Sequence, residues 1–222
     1  ADVSFVGHVK LILKSDTELA ALALGQAALL NIRCDAQEDE SKVKSVSFEH
    51  SAEHGSQPNG GTECGIRAVR GMFRTVKLCL EERLGQRVPP THPLLTWLIE
   101  YSALLLHARQ GGDDGKTPWD RLRGRDFGQK LIGFGKAVMH KQPPPGPQHD
   151  LDGNMGAGMF PGRFVGYSCF SNTYLVETEE HDVINIRSIL RRPEAERWDA
   201  ETLKKVTATP WSLRAASSPS AM

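Results

Sequence analysis

The sequence predicts an α/β unit followed by a small antiparallel β-barrel, and three observations carry that reading. The first is order: a short apolar burst in VKLILKSDTE (Val9 to Glu18), Ala- and Leu-rich text, a weakly alternating run VKSVSF (Val43 to Phe48), then a long stretch of helical period. Strand, helix, strand and helix in succession are the mark of an α/β arrangement. The second is the helical stretch itself, where Ile66, Val69, Phe73, Val76 and Leu80 recur at alternating steps of three and four and draw one apolar stripe. The third is a change of text after Thr117. Short runs rich in β-branched and aromatic residues follow at even spacing, separated by Gly, Pro, Asn or Ser, as in a small barrel.

The totals bound the rest. A chain of 222 residues suits one ordinary domain with an appendage and can bury a real core. Lys plus Arg and Asp plus Glu both number 27, so any nucleic-acid signal must be local. Cys34, Cys64, Cys79 and Cys169 include no closely spaced pair, which argues against a zinc ribbon or a disulfide framework and predicts packing residues in a reducing compartment. No apolar run approaches the roughly 20 residues needed to cross a bilayer, and no secretory signal opens the text. A soluble, intracellular chain is the expectation. It starts with Ala1 and enters a strand almost at once, as a piece cut from something longer would.

In order, the Val9 burst reads as a buried strand ending at Asp16, which can equally serve as the cap of the following helix. Thr17 to about Leu30 is helical by propensity and covers that strand. The acidic DAQEDE (Asp35 to Glu40) is a solvated loop, and Val43 to Phe48 a second strand. His50 and His54 raise a zinc question, yet Cys64 is the only soft ligand nearby and no second pair follows. Ser56 to Gly85 is a polar, glycine-rich loop feeding the long helix with Glu63 at its mouth. On that helix Glu63, Arg67, Arg70, Arg74 and Lys77 share a second stripe. One reading is a solvated face in which Glu63 pairs with Arg67 for about 0.2–0.5 kcal/mol. The other is a metal-binding carboxylate beside a track for phosphates.

VPPTHP breaks the chain, because consecutive prolines cannot continue a helix. Leu94 to Arg109 is apolar on nearly every side, as a wedged helix would be, and GGDDGKTP is a turn cluster. GKAVMHK, MFPGRFVGYS, TYLVET and DVINIRSIL are the barrel strands, with PPPGP and GNMGAG in a long loop between the first two. Arg187, Arg191 and Arg192 make the last strand basic on one side, or are a solvated edge. From Pro193 onward the text is charged and ends in AASSPSAM, read as a tail that cannot bury enough surface to fold.

With these residues in place, the chain resembles the catalytic core of copia-type retrotransposon integrases, polynucleotidyl transferases of the RNase H-like superfamily that use two aspartates and a glutamate. The matching text is KSDTE around Asp16 and SQPNGGTE, where Gln57, Asn59, Gly60 and Glu63 fit a Gln-x-Asn-Gly-x-x-Glu pattern opening the last catalytic helix. TPWDRLRGR (Thr117 to Arg125), FGKAVMHK (Phe134 to Lys141) and FVGYS (Phe164 to Ser168) look like the segments that follow such cores and lead into a β-barrel of the Src-homology-3 type.

The resemblance implies a partial RNase H-like core over residues 1–112, a connecting segment over 113–133, the barrel over 134–194 and a charged, largely disordered tail over 195–222. It makes Asp16 the second catalytic aspartate and Glu63 the glutamate. Both would be ligands of magnesium or manganese, hard cations that carboxylates suit and that hold the attacking and leaving oxygens of an in-line phosphoryl transfer. Gln57 and Asn59 would lie beside a DNA end, and Arg67, Arg70, Arg74 and Lys77 would contact phosphates. The implied partners are element ends and target duplex DNA, with a homo-oligomer allowed, no membrane, and action in the nucleus. The first aspartate would precede Ala1, so the chain is expected to bind DNA without cutting it unaided. A non-catalytic nucleic-acid-binding remnant and an RNase H-like nuclease stay open as alternatives.

Overall fold

The structure is a computed structural model and describes residues 10–15, 23, 25–27, 45–50, 60–141, 158–168, 171 and 173–214. The chain divides into two compact units, Ala1–Arg67 and Ala68–Met222. It combines helices with sheets, as an α/β chain should, and a set of antiparallel strands fills most of its second part.

In the first unit, β1 (Lys10–Ser15) pairs in parallel with β2 (Ser45–His50), from Lys10 opposite Ser45 to Ser15 opposite His50. Parallel neighbours need a crossover of a dozen or more residues, which residues 16–44 supply. Residues 23 and 25–27 of that crossover are helical, inside the stretch where a helix is expected. The long helix α1 (Gly60–Leu84) opens in this unit and passes into the second.

The second unit is built around α2 (Leu94–Arg109), which packs on the strand β4 (Phe160–Tyr167). Leu94, Leu98, Tyr101 and Leu104 of the helix bury with Phe164, Val165 and Tyr167 of the strand. A five-stranded antiparallel open sheet carries this core. Its remaining strands are β3 (Ala137–His140), β5 (Tyr174–Thr178), β6 (Val183–Ile186) and β7 (Ile189–Arg191), in the order β6-β5-β4-β3-β7. The last strand therefore returns to lie beside the first. Between β4 and β5 the register shifts after Phe164, with Gly166 opposite Leu175 and Val165 as the extra residue of a bulge. The bulge breaks the in–out alternation, and Phe164, Val165 and Tyr167 are all buried.

Several polar groups inside this core have partners, although both ring nitrogens of the buried His140 have none among the described residues. Trp97 Nε1 donates to the Ala208 carbonyl at 2.9 Å and Tyr101 Oη to that of Ile132 at 2.7 Å. Tyr167 Oη donates to the Lys130 carbonyl and accepts from Ile132 N, both at 2.8 Å. Directly opposite each other in β4 and β5, Arg163 and Glu177 form a buried ion pair, Nη1 to Oε2 at 2.7 Å. His181 Nδ1 lies 3.1 Å from the other carboxylate oxygen, held there by a turn in which His181 has a φ of 65°.

Two expectations are corrected here. The divisions at 112 and 134 do not coincide with a break in packing: α2, assigned to the preceding core, shares its buried side chains with the sheet. The tail expected over 195–222 is folded as far as residue 214. A 3-10 turn at Glu194–Glu196 leads to α4 (Ala200–Leu203), capped by Asp199, and Leu203, Val206 and Ala208 are buried in the core. Their apolar side chains are sparse in charged text, and only the hydrophobic surface of α2 and the sheet gives them somewhere to go. A further short helix, α3 (Pro118–Arg123), occupies the segment read as a connection. Thr117 caps its N-terminus, and Gly124, at a φ of 66°, ends it.

Candidate nucleic-acid interface

The candidate interface runs along α1. Glu63 lies in its first turn and Arg83 in its last, the polarity that the helix dipole favours. Glu63, Arg67, Arg70 and Arg74 are exposed. Among the described residues none of them has an ion-pair partner, so the expected Glu63–Arg67 pair is not formed. The three arginines stand one helical turn apart on one stripe, with their guanidinium donors open to solvent. Such a row can meet successive phosphates without reading sequence.

Lys77 departs from that row. It is half-buried and ion-paired with Glu81 one turn on, and Glu81 also accepts a hydrogen bond from Val88 N at 2.8 Å. Burial raises the Glu81 pKa, but Lys77 and the Val88 N–H outweigh it and leave the carboxyl below its ordinary value. The Lys77 ammonium thus helps to close the turn after α1, which sets it apart from the three open arginines of the expected phosphate row. Ile66 is corrected: it heads the apolar stripe but is 53% exposed, whereas Leu80 at the other end is 1% exposed.

Asp16, Gln57 and Asn59 lie outside the described residues. Asp16 is the residue that follows β1, and Glu63 comes three residues after the start of α1. Among the described residues no group of three His, Cys, Asp or Glu side chains is placed to hold a metal ion. The donor chemistry of Glu63 fits magnesium, since its carboxylate is exposed and uncommitted.

Compared with known protein families and with curated proteins, the chain matches none.

The cysteine expectation is corrected in part. Cys64 and Cys79 are free and exposed on α1, not packed, while Cys34 and Cys169 lie outside the described residues. Of the basic group near the last strand, Arg187 and Arg191 are exposed, and Arg192 is held by Met139 Sδ at 3.5 Å and by Glu196 at 3.9 Å. Sequence reasoning missed Arg83, Lys136, Arg197 and Trp198, which the second unit gathers into one place. No period joins positions so far apart in the text; only the basic residues flanking β7 hinted at them. No helix among the described residues is long and apolar enough to cross a membrane.

Proposed function

We propose that this chain is part of a copia-type retrotransposon integrase: the later portion of an RNase H-like core joined to a sheet of the Src-homology-3 type, binding DNA through α1. The observation that carries the reading is the first unit's layout. Two parallel strands, the first ending one residue before Asp16, are followed by a helix with Glu63 in its opening turn. An acid directly after one strand and another at the opening of the helix that follows the second strand is the chain order that a metal-dependent phosphoryl transferase of this class has. The sheet order of the second unit supports the barrel assignment, because a last strand that pairs with the first is how five short strands begin to close.

In this reading Arg67, Arg70 and Arg74 hold duplex phosphates, and Gln57 and Asn59 border the DNA end. Asp16 and Glu63 are two of three carboxylates for magnesium, which when bound would stabilise the charge that develops on the transferred phosphoryl group. A nuclear site of action is what the resemblance implies for such a protein. The test is duplex binding by the full chain across a salt series. Replacing Arg67, Arg70 and Arg74 together by Ala is expected to lower affinity and to flatten the slope of log K against log salt by about 2.7, at about 0.9 per lost contact. An unchanged slope overturns the interface. Binding of manganese that Glu63→Gln weakens would support the metal role, and binding indifferent to that change would remove it.

A further inference from the structure

Within the second unit four cations come together without an acid bonded to any of them. Lys136 closes a tight turn by donating its N–H to the Gly133 carbonyl at 3.3 Å, with Gly135 between them at a φ of 75°. Burial, and then the charges of Arg197, Arg191 and Arg83, hold its ammonium below the usual lysine value, with Glu194 pulling weakly the other way. The backbone explains the meeting. Ala137 N donates to the Arg197 carbonyl at 2.9 Å, and Arg191 lies opposite Val138 in the β3–β7 ladder. Arg83, at the end of α1, rests over the Trp198 ring at 4.8 Å. A side chain at Gly133 would stand 3.2 Å from Arg83 Nη1 and 3.3 Å from Trp198, so the turn, the guanidinium and the ring lie close together there. Among the described residues Arg83, Lys136, Arg191 and Arg197 have no ion-pair partner. Like charges gathered around a half-buried lysine oppose folding unless an anion joins them.

Beside the cluster lies a cleft of about 190 Å³ whose walls include Val76, Cys79, Leu80, Tyr101, Leu105 and Phe134, and which shares Arg83 and Gly133 with the cations. An apolar slot adjoining a cationic group matches a ligand with a flat, weakly polar body and an attached phosphate. We propose that cleft and cluster together bind one unpaired nucleotide, its base in the cleft and its phosphate on Lys136, Arg83, Arg191 and Arg197. Guanidinium forks suit phosphate oxygens, and Trp198 is a positioning residue that fixes Arg83 by stacking. A base still paired and stacked in a duplex cannot enter such a slot, so single strands are the preferred form. The site stands on the second unit alone and holds whether or not α1 binds duplex.

The test uses the full chain and fluorescein-labelled dT12, with a duplex of equal length alongside, in a salt series. The double variant Lys136→Gln/Arg197→Gln is expected to weaken single-strand binding at least tenfold. It should also flatten the salt slope by about 1.4, at about 0.7 per contact. The melting temperature of Lys136→Gln alone, which keeps the Arg197 Nε bond to the Arg192 carbonyl at 2.7 Å, should hold or rise, since like-charge repulsion is relieved; a purely structural Lys136 would lower stability and binding together. Cys79→Trp, which fills the cleft from an exposed position, should weaken dT12 and spare the duplex. Arg191→Gln, on the exposed edge strand, carries the test if the double variant does not fold. Competition then identifies the ligand. dTMP displacing dT12 where inorganic phosphate fails supports the site, and the ratio of dTMP to dT12 affinity tells a free nucleotide from a strand. Displacement by inorganic phosphate or polyglutamate as effective as that by dTMP overturns the proposal, as does single-strand binding unchanged in all three variants. Loss of duplex binding in the Arg67, Arg70 and Arg74 variant bears on the α1 interface only.

Discussion

Glu177→Ala isolates the cost of a buried charge. Glu177 is 1% exposed and Arg163 8%, and the pair spans β4 and β5 at 2.7 Å, with Arg163 Nη1 also donating to the Thr202 carbonyl at 3.0 Å. Removing the carboxylate leaves a guanidinium sealed against one carbonyl, which costs about 3–5 kcal/mol. With a urea m-value of about 2 kcal/mol/M, a loss of about 4 kcal/mol lowers the unfolding midpoint by about 2 M. A pair buried in this way is nevertheless not expected to be a net source of stability. Burial pushes the Glu177 pKa up despite Arg163 and His181, and pulls that of Arg163 down despite Glu177, so desolvation exceeds attraction for both partners. The double variant Arg163→Met/Glu177→Leu should therefore match the parent or exceed its stability by about 1–4 kcal/mol. The sign of the pH dependence follows. With its folded pKa above the ordinary 4.5, Glu177 contributes stability that is full below 4.5 and is lost as pH rises through the folded value. Glu177→Gln should remove that slope. Urea titration monitored by tryptophan fluorescence at several pH values decides the matter. A Glu177→Ala loss under about 1 kcal/mol, or a double variant as unstable as the two single losses added, refutes it.

Gly162→Ala should destabilise the sheet, because the new methyl would lie 2.6 Å from Val176 Cγ1 and 2.8 Å from the Glu177 carbonyl, which cannot yield. A loss of about 2 kcal/mol, or about 6 °C in Tm by calorimetry, is the expected size, and an unchanged Tm would show that the β4–β5 packing is looser than drawn. Burial holds the Tyr101 phenol up at about 12, only partly offset by Arg83. The folded chain keeps that proton after the unfolded chain has lost it, so stability should fall between about pH 10 and pH 12. Tyr101→Phe should flatten this fall in alkaline denaturation, and an unaltered profile would exclude Tyr101 as its source.

Local text made much of the second unit legible. The run around Val138 is β3, that around Phe164 is β4, TYLVET is β5, and DVINIRSIL divides into β6 and β7. α2 covers Leu94–Arg109 as its uniform apolarity implies, although Ile99 is 51% exposed on its open side. α1 was legible in extent but not in burial. Its apolar stripe is regular from Ile66 to Leu80, yet burial depends on what lies opposite, and period carries no information about that. Lys77 shows the same limit. At the right spacing for the ridge it is taken by Glu81, which is itself four residues along and fixed by Val88.

Strand and helix segments, their order, the acid at the head of α1 and the row of arginines behind it were determined by the sequence alone, because propensity and period are local and each segment states its own. The folding of residues 195–214 onto the core, the ion pair of Arg163 with Glu177 and the gathering of Arg83, Lys136, Arg191 and Arg197 were decided only by tertiary structure. These depend on which surfaces meet. Burial, desolvation and the field of one charge on another are properties of neighbours in space, which local text does not state; Arg163 and Glu177 stand 14 residues apart in different strands.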